Sequence, residues 1–201
     1  RLRPLTEHLP KALLPYMDIP ALQEVLNRIH AWAKPHVVHI SCEASKLPIF
    51  RGYIPNLDGG DYETGRFWRI YPVDSDINNF GFAKQIAQYL GENFLLHYCD
   101  EFTPVDFGKL LNAHMASGAL ATLAVSRDLP VDYGIVEVKD GHVLAFKEKV
   151  SVDAANWLGV GIFSSRVFAH GNSGDDFARD VIPRLLRSGA LGLVQFLDSR
   201  V

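Results

Sequence analysis

Residues 94–98 form a continuous apolar run, Phe-Leu-Leu-His-Tyr, with the length of a β-strand. A run without alternation is typical of a strand that is buried on both faces of a parallel sheet. Helical periodicity follows at 107–115, and another β-rich run follows at 121–125. Strands alternate with helices through the first half of the chain, which predicts an α/β fold with a parallel sheet and helices on both faces.

The first twenty residues combine proline with positive charge. Proline fixes the backbone, removes a hydrogen-bond donor and disfavours a helical residue before it, so we expect a rigid, extended loop that presents cations to phosphate. The alternative is a solvated basic linker, since such loops are common. The prolines stand at positions 4, 10, 15 and 20, and the cations are Arg1, Arg3 and Lys11.

Asp100 follows the apolar run at 94–98 after one cysteine. Open α/β sheets bind ligands at the carboxyl ends of their strands, and Mg²⁺ is usually held by one or two carboxylates together with phosphate oxygens. We therefore expect Asp100 to hold Mg²⁺ against phosphates. The alternative is a turn or helix-capping residue. Glu101 is expected to face solvent or to lie behind Asp100.

Helical periodicity gives two apolar faces. One helix begins after Pro20, another ends at Gly118, and a third is predicted at 81–90. The first face is Ala21, Leu22, Val25, Leu26, Ile29 and Trp32. The second is Phe107, Leu110, Leu111, His114 and Met115.

The second half of the chain contains a hairpin pattern. Two alternating runs between 132 and 146 flank an Asp-Gly turn at 140–141. Glu148 and Lys149 come directly after it, and an exposed charge pair is the ordinary outcome for two such residues. Strands are predicted at 157–163 and 192–196, and between them lies a helical pattern that Pro183 kinks or divides.

Composition limits the class of protein. The 201 residues are 48% apolar and 21% charged with a formal net charge of −3, which suits a globular enzyme and argues against a nucleic-acid partner. No apolar run approaches the roughly 18 residues of a membrane span. Cys42 and Cys99 are too few and too far apart for a disulfide framework or a metal knuckle, so a reducing, cytoplasmic setting is the default.

The opening residues read Arg-Leu-Arg-Pro-Leu-Thr, followed from position 10 by Pro-Lys-Ala-Leu-Leu-Pro. Their order and spacing resemble the sugar-phosphate nucleotidylyltransferase family, whose signature runs T-R-L-x-P-L-T and then P-K-x-L-L-P-V. The resemblance continues at Asp100, where the family has G-D at a strand end, and at Gly134 in a Tyr-Gly pair. It also includes Glu148-Lys149, similar to E-K-P, and Gly159 in a strand similar to x-x-G-I-Y-x-F.

The resemblance implies a Rossmann-like, mostly parallel sheet of the nucleotide-diphospho-sugar transferase type, to which the hairpin and last strands add a sugar-binding half. It implies a Mg²⁺-dependent enzyme that joins a hexose 1-phosphate to a nucleoside triphosphate and releases pyrophosphate, without nucleic-acid or membrane partners and possibly as a homo-oligomer. Arg1 would cradle the leaving phosphates, Lys11 would bridge toward the α-phosphate, and Asp100 would hold Mg²⁺. Gly81 would approach the nucleotide. The sugar phosphate site would be lined by Gly134, Glu148, Lys149 and Gly159.

Departures from the family leave other functions open. Phe82 and Lys84 interrupt the G-T-A-G-like junction that begins at Gly81, Cys99 replaces a glycine, and Val150 replaces the proline of E-K-P. One alternative is a regulatory homologue that binds a sugar nucleotide without turnover, and another is transfer to a non-sugar phosphate such as phosphocholine. The leading substrate pairs are mannose with GTP and then glucose with TTP or UTP.

The resemblance also implies that residues 1–201 form a single nucleotidyltransferase domain. In the family, a strand and a Gly-rich loop precede the position of Arg1. A second metal ligand follows the strand that 193–201 resembles. We therefore expect the natural protein to extend beyond both ends.

Overall fold

The computed structural model alternates strands with helices, and it describes residues 4–33, 36–54, 59, 67–102, 105–126, 129–130, 135–148, 151–152, 155–188 and 194–198. Its helices are α1 (Leu5–His8), α2 (Ala21–Trp32), α3 (Leu47–Tyr53), α4 (Asn79–Gln85), α5 (Phe107–Ser117) and α6 (Ile182–Arg187). Its strands are β1 (Pro15–Tyr16), β2 (Ile19–Pro20), β3 (Val38–Glu43), β4 (Trp68–Val73), β5 (Asn93–His97), β6 (Ala121–Ser126), β7 (Leu129–Pro130), β8 (Ile135–Lys139), β9 (His142–Lys147), β10 (Ser151–Val152), β11 (Asn156–Ser164) and β12 (Val194–Asp198).

The largest sheet has the strand order β12–β6–β11–β5. β12 is parallel to β6, whereas β11 is antiparallel to both of its neighbours, so β5, β6 and β12 share one direction. A separate parallel pair joins β3 to β4. The α/β class is therefore confirmed. The expectation that the last strands belong to an added half is wrong, because β12 pairs with β6 and β11 lies between β5 and β6 in this sheet.

Most of the apolar run at 94–98 lies in strand β5, which ends at His97, but the described neighbour of this strand is antiparallel to it. Asn93 pairs with Ser164 and His97 pairs with Val160, in antiparallel register along β11. Continuous apolarity reports burial on both faces, which a strand can gain beside a neighbour of either direction. The run therefore predicts the strand and carries little information about the direction of its neighbour.

Helices cover both faces of the four-stranded sheet. On one face, Phe80 of α4 lies in an apolar cluster with Phe163 of β11. On the other face, Ile29 of α2 and Leu110 of α5 lie in a cluster with Ile162. Ile162 and Phe163 are adjacent and point to opposite faces, as strand geometry requires, so the predicted two-sided arrangement is confirmed. Within the described ranges, no helix combines the length and apolarity needed to cross a bilayer.

The opening segment is not the extended loop that its prolines predicted. Leu5–His8 form α1, Lys11–Leu13 form a 3-10 turn, and β1 and β2 form a short hairpin. Proline lacks an N–H but keeps its carbonyl, and the carbonyl of Pro10 accepts a hydrogen bond from the amide of Leu13 at 2.8 Å. Leu13 is buried in an apolar cluster with Leu22 of α2, and this burial favours a compact turn.

Two predicted helix faces are correct except at their edges. In α2 Trp32 is exposed and His30 is buried instead, with its ring 5.4 Å from the ring of Trp68. In α5 Leu111 and Met115 are exposed, while the other predicted residues are buried. The burial of His30 depends on a contact with β4, which helical periodicity within α2 cannot reveal.

The predicted hairpin and the predicted role of Pro183 are confirmed. β8 and β9 pair around Asp140 and Gly141, whose φ angles of 50° and 79° suit a tight hairpin turn. A π-helical turn, Phe177–Val181, comes before α6, and Pro183 lies in the first turn of α6. Proline is tolerated there because the first amides of a helix have no intrahelical partner.

His114 connects α5 to β5 and β6. Its side chain is 3% exposed, its Nδ1 lies 3.0 Å from Oγ1 of Thr122, and its Nε2 lies 3.0 Å from Oδ1 of Asn93. Because an amide oxygen can only accept, Nε2 carries the proton and Nδ1 accepts from the hydroxyl of Thr122. Burial lowers the pKa of His114 below its ordinary value, and the Arg166 cation lowers it further. The neutral ring therefore has a structural role.

We expect the free energy of unfolding to fall as the pH drops below about 6.5, the ordinary histidine pKa. Below that pH the unfolded chain binds a proton that folded His114 resists, so unfolding is favoured until the lowered folded-state pKa is reached. One such group contributes at most about 1.4 kcal/mol per pH unit. His39 and His97, whose pKa values burial also lowers, add to the slope.

Urea unfolding between about pH 8 and about pH 5 measures this dependence. His114→Gln cannot be protonated in this range and keeps an amide that can hydrogen-bond. Its stability should decline less steeply with falling pH than that of the wild type. Equal slopes for the two proteins would contradict the assignment of this dependence to His114.

Candidate active site

Lys11 and Asp100 lie 89 residues apart in the sequence and form an ion pair between Nζ and Oδ2. Lys11 begins the 3-10 turn, and Asp100 lies just beyond the carboxyl end of β5. Their side chains are 55% and 33% exposed, so a ligand in solution can reach both. The structure thus brings together the cation and the carboxylate that the sequence singled out for phosphate and metal.

The backbone that carries Lys11 is fixed from both sides. The carbonyl of Lys11 accepts a hydrogen bond from the amide of Leu14 at 3.2 Å. The carbonyl of Leu14 in turn accepts from the amide of Ala21, the first residue of α2, at 2.9 Å. Together with the buried Leu13, these bonds hold the turn on α2, so that only the flexible stem of Lys11 remains free to move.

Residues 98–102, the Asp100 segment, are attached to β11. The amide of Tyr98 donates to the carbonyl of Gly159 at 3.0 Å, and the amide of Glu101 donates to the carbonyl of Tyr98 at 3.3 Å. The ring of Tyr98 also contacts that of Trp157 edge to face, with centroids 5.2 Å apart. The turn that presents Asp100 therefore continues the sheet and is not a free loop.

Gly159 lies where β11 departs from regular pairing. Its φ is 70°, a left-handed conformation that favours glycine, and the register of β11 against β6 shifts between Trp157 and Gly161. A Cβ atom at Gly159 would lie 3.1 Å from side-chain atoms of Tyr98 and of Glu101. The bulge thus brings the backbone of Gly159 against the Asp100 segment, as bulges beside active sites often do.

Tyr98 and Asn79 support the segment that carries Asp100, and neither residue was singled out from the sequence. The Nδ2 of Asn79 donates to the hydroxyl of Tyr98 at 2.9 Å, and the Oδ1 of Asn79 accepts from the amide of Phe177 at 2.9 Å. Burial, together with the nearby Asp176 carboxylate, raises the pKa of Tyr98 to about 12, so the phenol stays neutral. The signal for Tyr98 was its position at the end of the apolar run, and Asn79 gave no comparable signal.

Gly81, a predicted nucleotide contact, is buried within α4. A Cβ atom at this position would overlap the carbonyl oxygen of Ser173 and lie 2.8 Å from its carbonyl carbon. The absence of a side chain therefore allows α4 to approach the segment before the π-helical turn. This packing is sufficient to explain the glycine, and its contact with a nucleotide stays a prediction.

We expect Gly81→Ala to lower the free energy of unfolding by about 3 kcal/mol, because the new methyl group meets backbone that must shift. Gly52→Ala is the matched control, since Gly52 is also helical and nothing lies within 4 Å of the position that a methyl group would take there. The control should be neutral or more stable by about 0.5–1 kcal/mol. Urea unfolding measures both, and wild-type stability of Gly81→Ala would contradict the packing explanation.

For the other predicted site residues the structure gives less information. Glu148 follows the end of β9 directly and is exposed, which agrees with either an exposed charge or a ligand contact. Arg1, Gly134 and Lys149 lie outside the described residues. Their assigned roles in phosphate and sugar binding stay predictions.

Asp100 has the chemistry of a Mg²⁺ ligand, because hard divalent cations take carboxylate oxygens. Among the described residues, no group of three or more His, Cys, Asp or Glu side chains could hold a metal ion. One carboxylate is enough where phosphates and water supply the other oxygens. If Lys11 turns from Asp100 to a phosphate, the carboxylate becomes available. These residues therefore fit a Mg²⁺–phosphate complex better than a metal held by protein alone.

Curated proteins with similar sequences are nucleotidylyltransferases by name. The UTP–glucose-1-phosphate uridylyltransferase of Synechocystis sp. is 26% identical over 94% of this chain and 53% of its own length. The mannose-1-phosphate guanylyltransferase of Mycobacterium tuberculosis is 25% identical over 99% of this chain and 56% of its own length. The chain thus spans about half the length of these curated relatives.

The solved structure of HddC from Yersinia pseudotuberculosis in complex with GMP-PN has the same fold. It matches 100% of this chain and 85% of its own chain, with a TM-score of 0.65 and 14% identity. The predicted Rossmann-like fold of the nucleotide-diphospho-sugar transferase type is thereby confirmed. The family model described as nucleotidyl transferase matches residues 1–199. The resemblance that the first twenty residues suggested is therefore correct, and this chain belongs to the nucleotidyl transferase family.

Proposed function

We propose that this chain carries out nucleotidyl transfer from a nucleoside triphosphate to a sugar 1-phosphate, with Mg²⁺ and with release of pyrophosphate. The observation that supports this most strongly is the ion pair of Lys11 and Asp100. A cation and a carboxylate thus meet near the carboxyl end of β5, where open α/β sheets bind their ligands. The names of the Synechocystis and Mycobacterium relatives agree with this chemistry.

In the proposed reaction an oxygen of the sugar phosphate attacks the α-phosphorus of the triphosphate. A new phosphorus–oxygen bond joins the two substrates, and the bond from the α-phosphorus to its bridging oxygen breaks, so pyrophosphate leaves with that oxygen. This transfer needs no protein nucleophile. Its rate depends on positioning and on neutralisation of phosphate charge.

The proposed site residues fall into two groups, one that neutralises phosphate charge and one that lines the sugar phosphate site. Lys11 would exchange its contact with Asp100 for the α-phosphate, and Arg1 would cradle the leaving phosphates. Asp100 would then be free to hold Mg²⁺, which supplies further neutralisation when bound. On the sugar side, Gly159 lies against the Asp100 segment through Tyr98. Gly134, Glu148 and Lys149 would complete the sugar phosphate site.

A regulatory homologue that binds a sugar nucleotide without turnover is the second candidate. Phe82 is buried, with its ring 5.5 Å from that of Tyr71. The Nζ of Lys84 donates to the carbonyl of Gly171 at 2.6 Å. Phe82 and Lys84 are the two residues that depart from the family's G-T-A-G junction. Phe82 packs inside the protein and Lys84 binds a loop carbonyl, so both side chains are already engaged and have less opportunity to contact a nucleotide.

A pyrophosphate-release assay separates the two candidates. The full-length protein would be incubated with each of the common nucleoside triphosphates and with mannose 1-phosphate or glucose 1-phosphate, with Mg²⁺ or with EDTA. We expect release that requires both substrates and stops with EDTA, with mannose and GTP the leading pair ahead of glucose with TTP or UTP. Binding of a sugar nucleotide without any release would favour the regulatory homologue.

A further inference from the structure

Phe102, two residues after Asp100, is held by side chains from an earlier part of the chain. Its ring stacks on the ring of Tyr16, with centroids 4.3 Å apart and planes 7° apart. Its carbonyl accepts a hydrogen bond from Nη1 of Arg28. The guanidinium carbon of Arg28 also lies 6.0 Å from the centre of the Phe102 ring. Phe102 is therefore fixed through both its ring and its backbone.

Arg28 is itself held in one orientation. Its Nε donates to Oε1 of Glu24, one turn earlier on α2, at 2.7 Å, and both side chains are half-buried. The planar guanidinium donates from Nε and Nη1 at once, whereas a lysine offers one nitrogen on a flexible stem. Arg28 therefore joins α2 to the Asp100 segment with a defined geometry.

Tyr16 belongs to the segment that carries Lys11. It lies in β1, where it pairs with Ile19 of β2, and the same segment is attached to the start of α2 through Leu14. The contact between Tyr16 and Phe102 thus joins the two segments whose charged residues meet in the candidate site. Both segments take their position from α2.

We propose that Arg28 is a positioning residue which, with Tyr16, holds Phe102 and so sets the separation of Lys11 and Asp100 for nucleotidyl transfer. This inference rests on the function proposed above. The ion pair cannot supply that constraint, because water screens an exposed pair and its long side chains keep their freedom. In this proposal Arg28 acts through the carbonyl of Phe102, to which it donates, and needs no contact with either substrate.

Arg28→Ala is expected to lower kcat about 10- to 100-fold, since a displacement of about 1 Å in a reacting group costs that much. The KM for the nucleoside triphosphate should change far less, because no substrate contact is removed. Arg28→Lys can still donate to the carbonyl of Phe102 and should recover part of the loss. Arg187→Ala is the control, because Arg187 is exposed and its Nε donates to the carbonyl of Pro183 at 3.2 Å within α6.

Amide hydrogen exchange supplies a readout that does not depend on activity. In Arg28→Ala, exchange should quicken at 98–102 and stay unchanged in β6, which separates a local release from general destabilisation. Tyr16→Leu removes the stacking partner without touching α2, and it should produce the same local change. This second variant tests the inference even if Arg28→Ala does not fold.

Wild-type kcat in Arg28→Ala, or unchanged exchange at 98–102 in both variants, would overturn the inference. Failure of the proposed function can be distinguished from failure of this inference, because the wild type itself would then release no pyrophosphate from any substrate pair. In that event the catalytic part of the inference fails as well. Faster local exchange would then support only the attachment of Phe102 to α2.

Discussion

Asp100→Asn is expected to lower kcat for pyrophosphate release about 100- to 1,000-fold, as loss of one charge-stabilising group in an active site typically does. Asparagine has nearly the same size but no charge, so it cannot balance Mg²⁺ beside the phosphates. The fold should survive, because an exposed ion pair contributes only about 0.2–1 kcal/mol to stability. Steady-state kinetics measure kcat, and urea unfolding shows whether the variant is folded.

Asp106→Asn is the matched control for this substitution. Asp106 lies a few residues further along and caps α5, where its Oδ1 accepts from the amide of Lys109 at 2.9 Å. Asparagine caps a helix as well as aspartate does, so this variant should retain turnover close to that of the wild type. A folded Asp100→Asn protein with nearly wild-type turnover would mean that Asp100 has no part in the reaction.

Lys11→Met should produce a loss of similar size, about 100- to 1,000-fold in kcat, if Lys11 neutralises the α-phosphate as charge develops. Methionine keeps much of the apolar stem and removes only the charge and its donors. Lys11→Arg keeps the charge on a planar group, which does not replace a compact ammonium, so we expect partial activity. Kinetics at saturating concentrations of both substrates separate this effect from weaker binding.

Lys139→Met tests whether loss of any lysine charge has the same effect. Lys139 is exposed at the turn end of β8, and its substitution should leave kcat unchanged. A general effect of net charge would lower the activity of both variants alike. Loss of activity in Lys139→Met equal to that in Lys11→Met would contradict a specific role for Lys11.

The two charged residues of the candidate site could be singled out from the sequence because their signals are local. Lys11 stands in a proline-spaced pattern that the family shares, and Asp100 follows an apolar run of strand length after one cysteine. Ligand sites lie at the carboxyl ends of strands in open α/β sheets. These facts predicted a shared site without any knowledge of how the segments pack.

Features that depend on contacts between distant segments were not predictable. The glycine at Gly81 is explained by the backbone of Ser173, and the burial of His30 is explained by Trp68. Periodicity within one helix contains no information about either partner. The prediction from the prolines of the opening segment was wrong for the same reason. They predicted an extended backbone, whereas the burial of Leu13 favours a turn.

The direction of β11 was hidden for a related reason. Its sequence alternates poorly and contains Gly159, which indicates irregularity, but the pairing partner is chosen by the whole sheet. Tyr16 and Arg28 gave no sequence signal either, since an aromatic residue and an arginine are ordinary on exposed segments. Their contacts with Phe102 become visible only in three dimensions.

The claim that Lys11 and Asp100 serve one reaction centre is tested most directly by kcat of the double variant Lys11→Met/Asp100→Asn beside both single variants. Residues that act as a unit are strongly non-additive. We therefore expect kcat of the double variant to lie no more than about tenfold below that of the less active single variant. Losses that multiply in full across the two substitutions would show that the two residues act independently, and would contradict the shared centre.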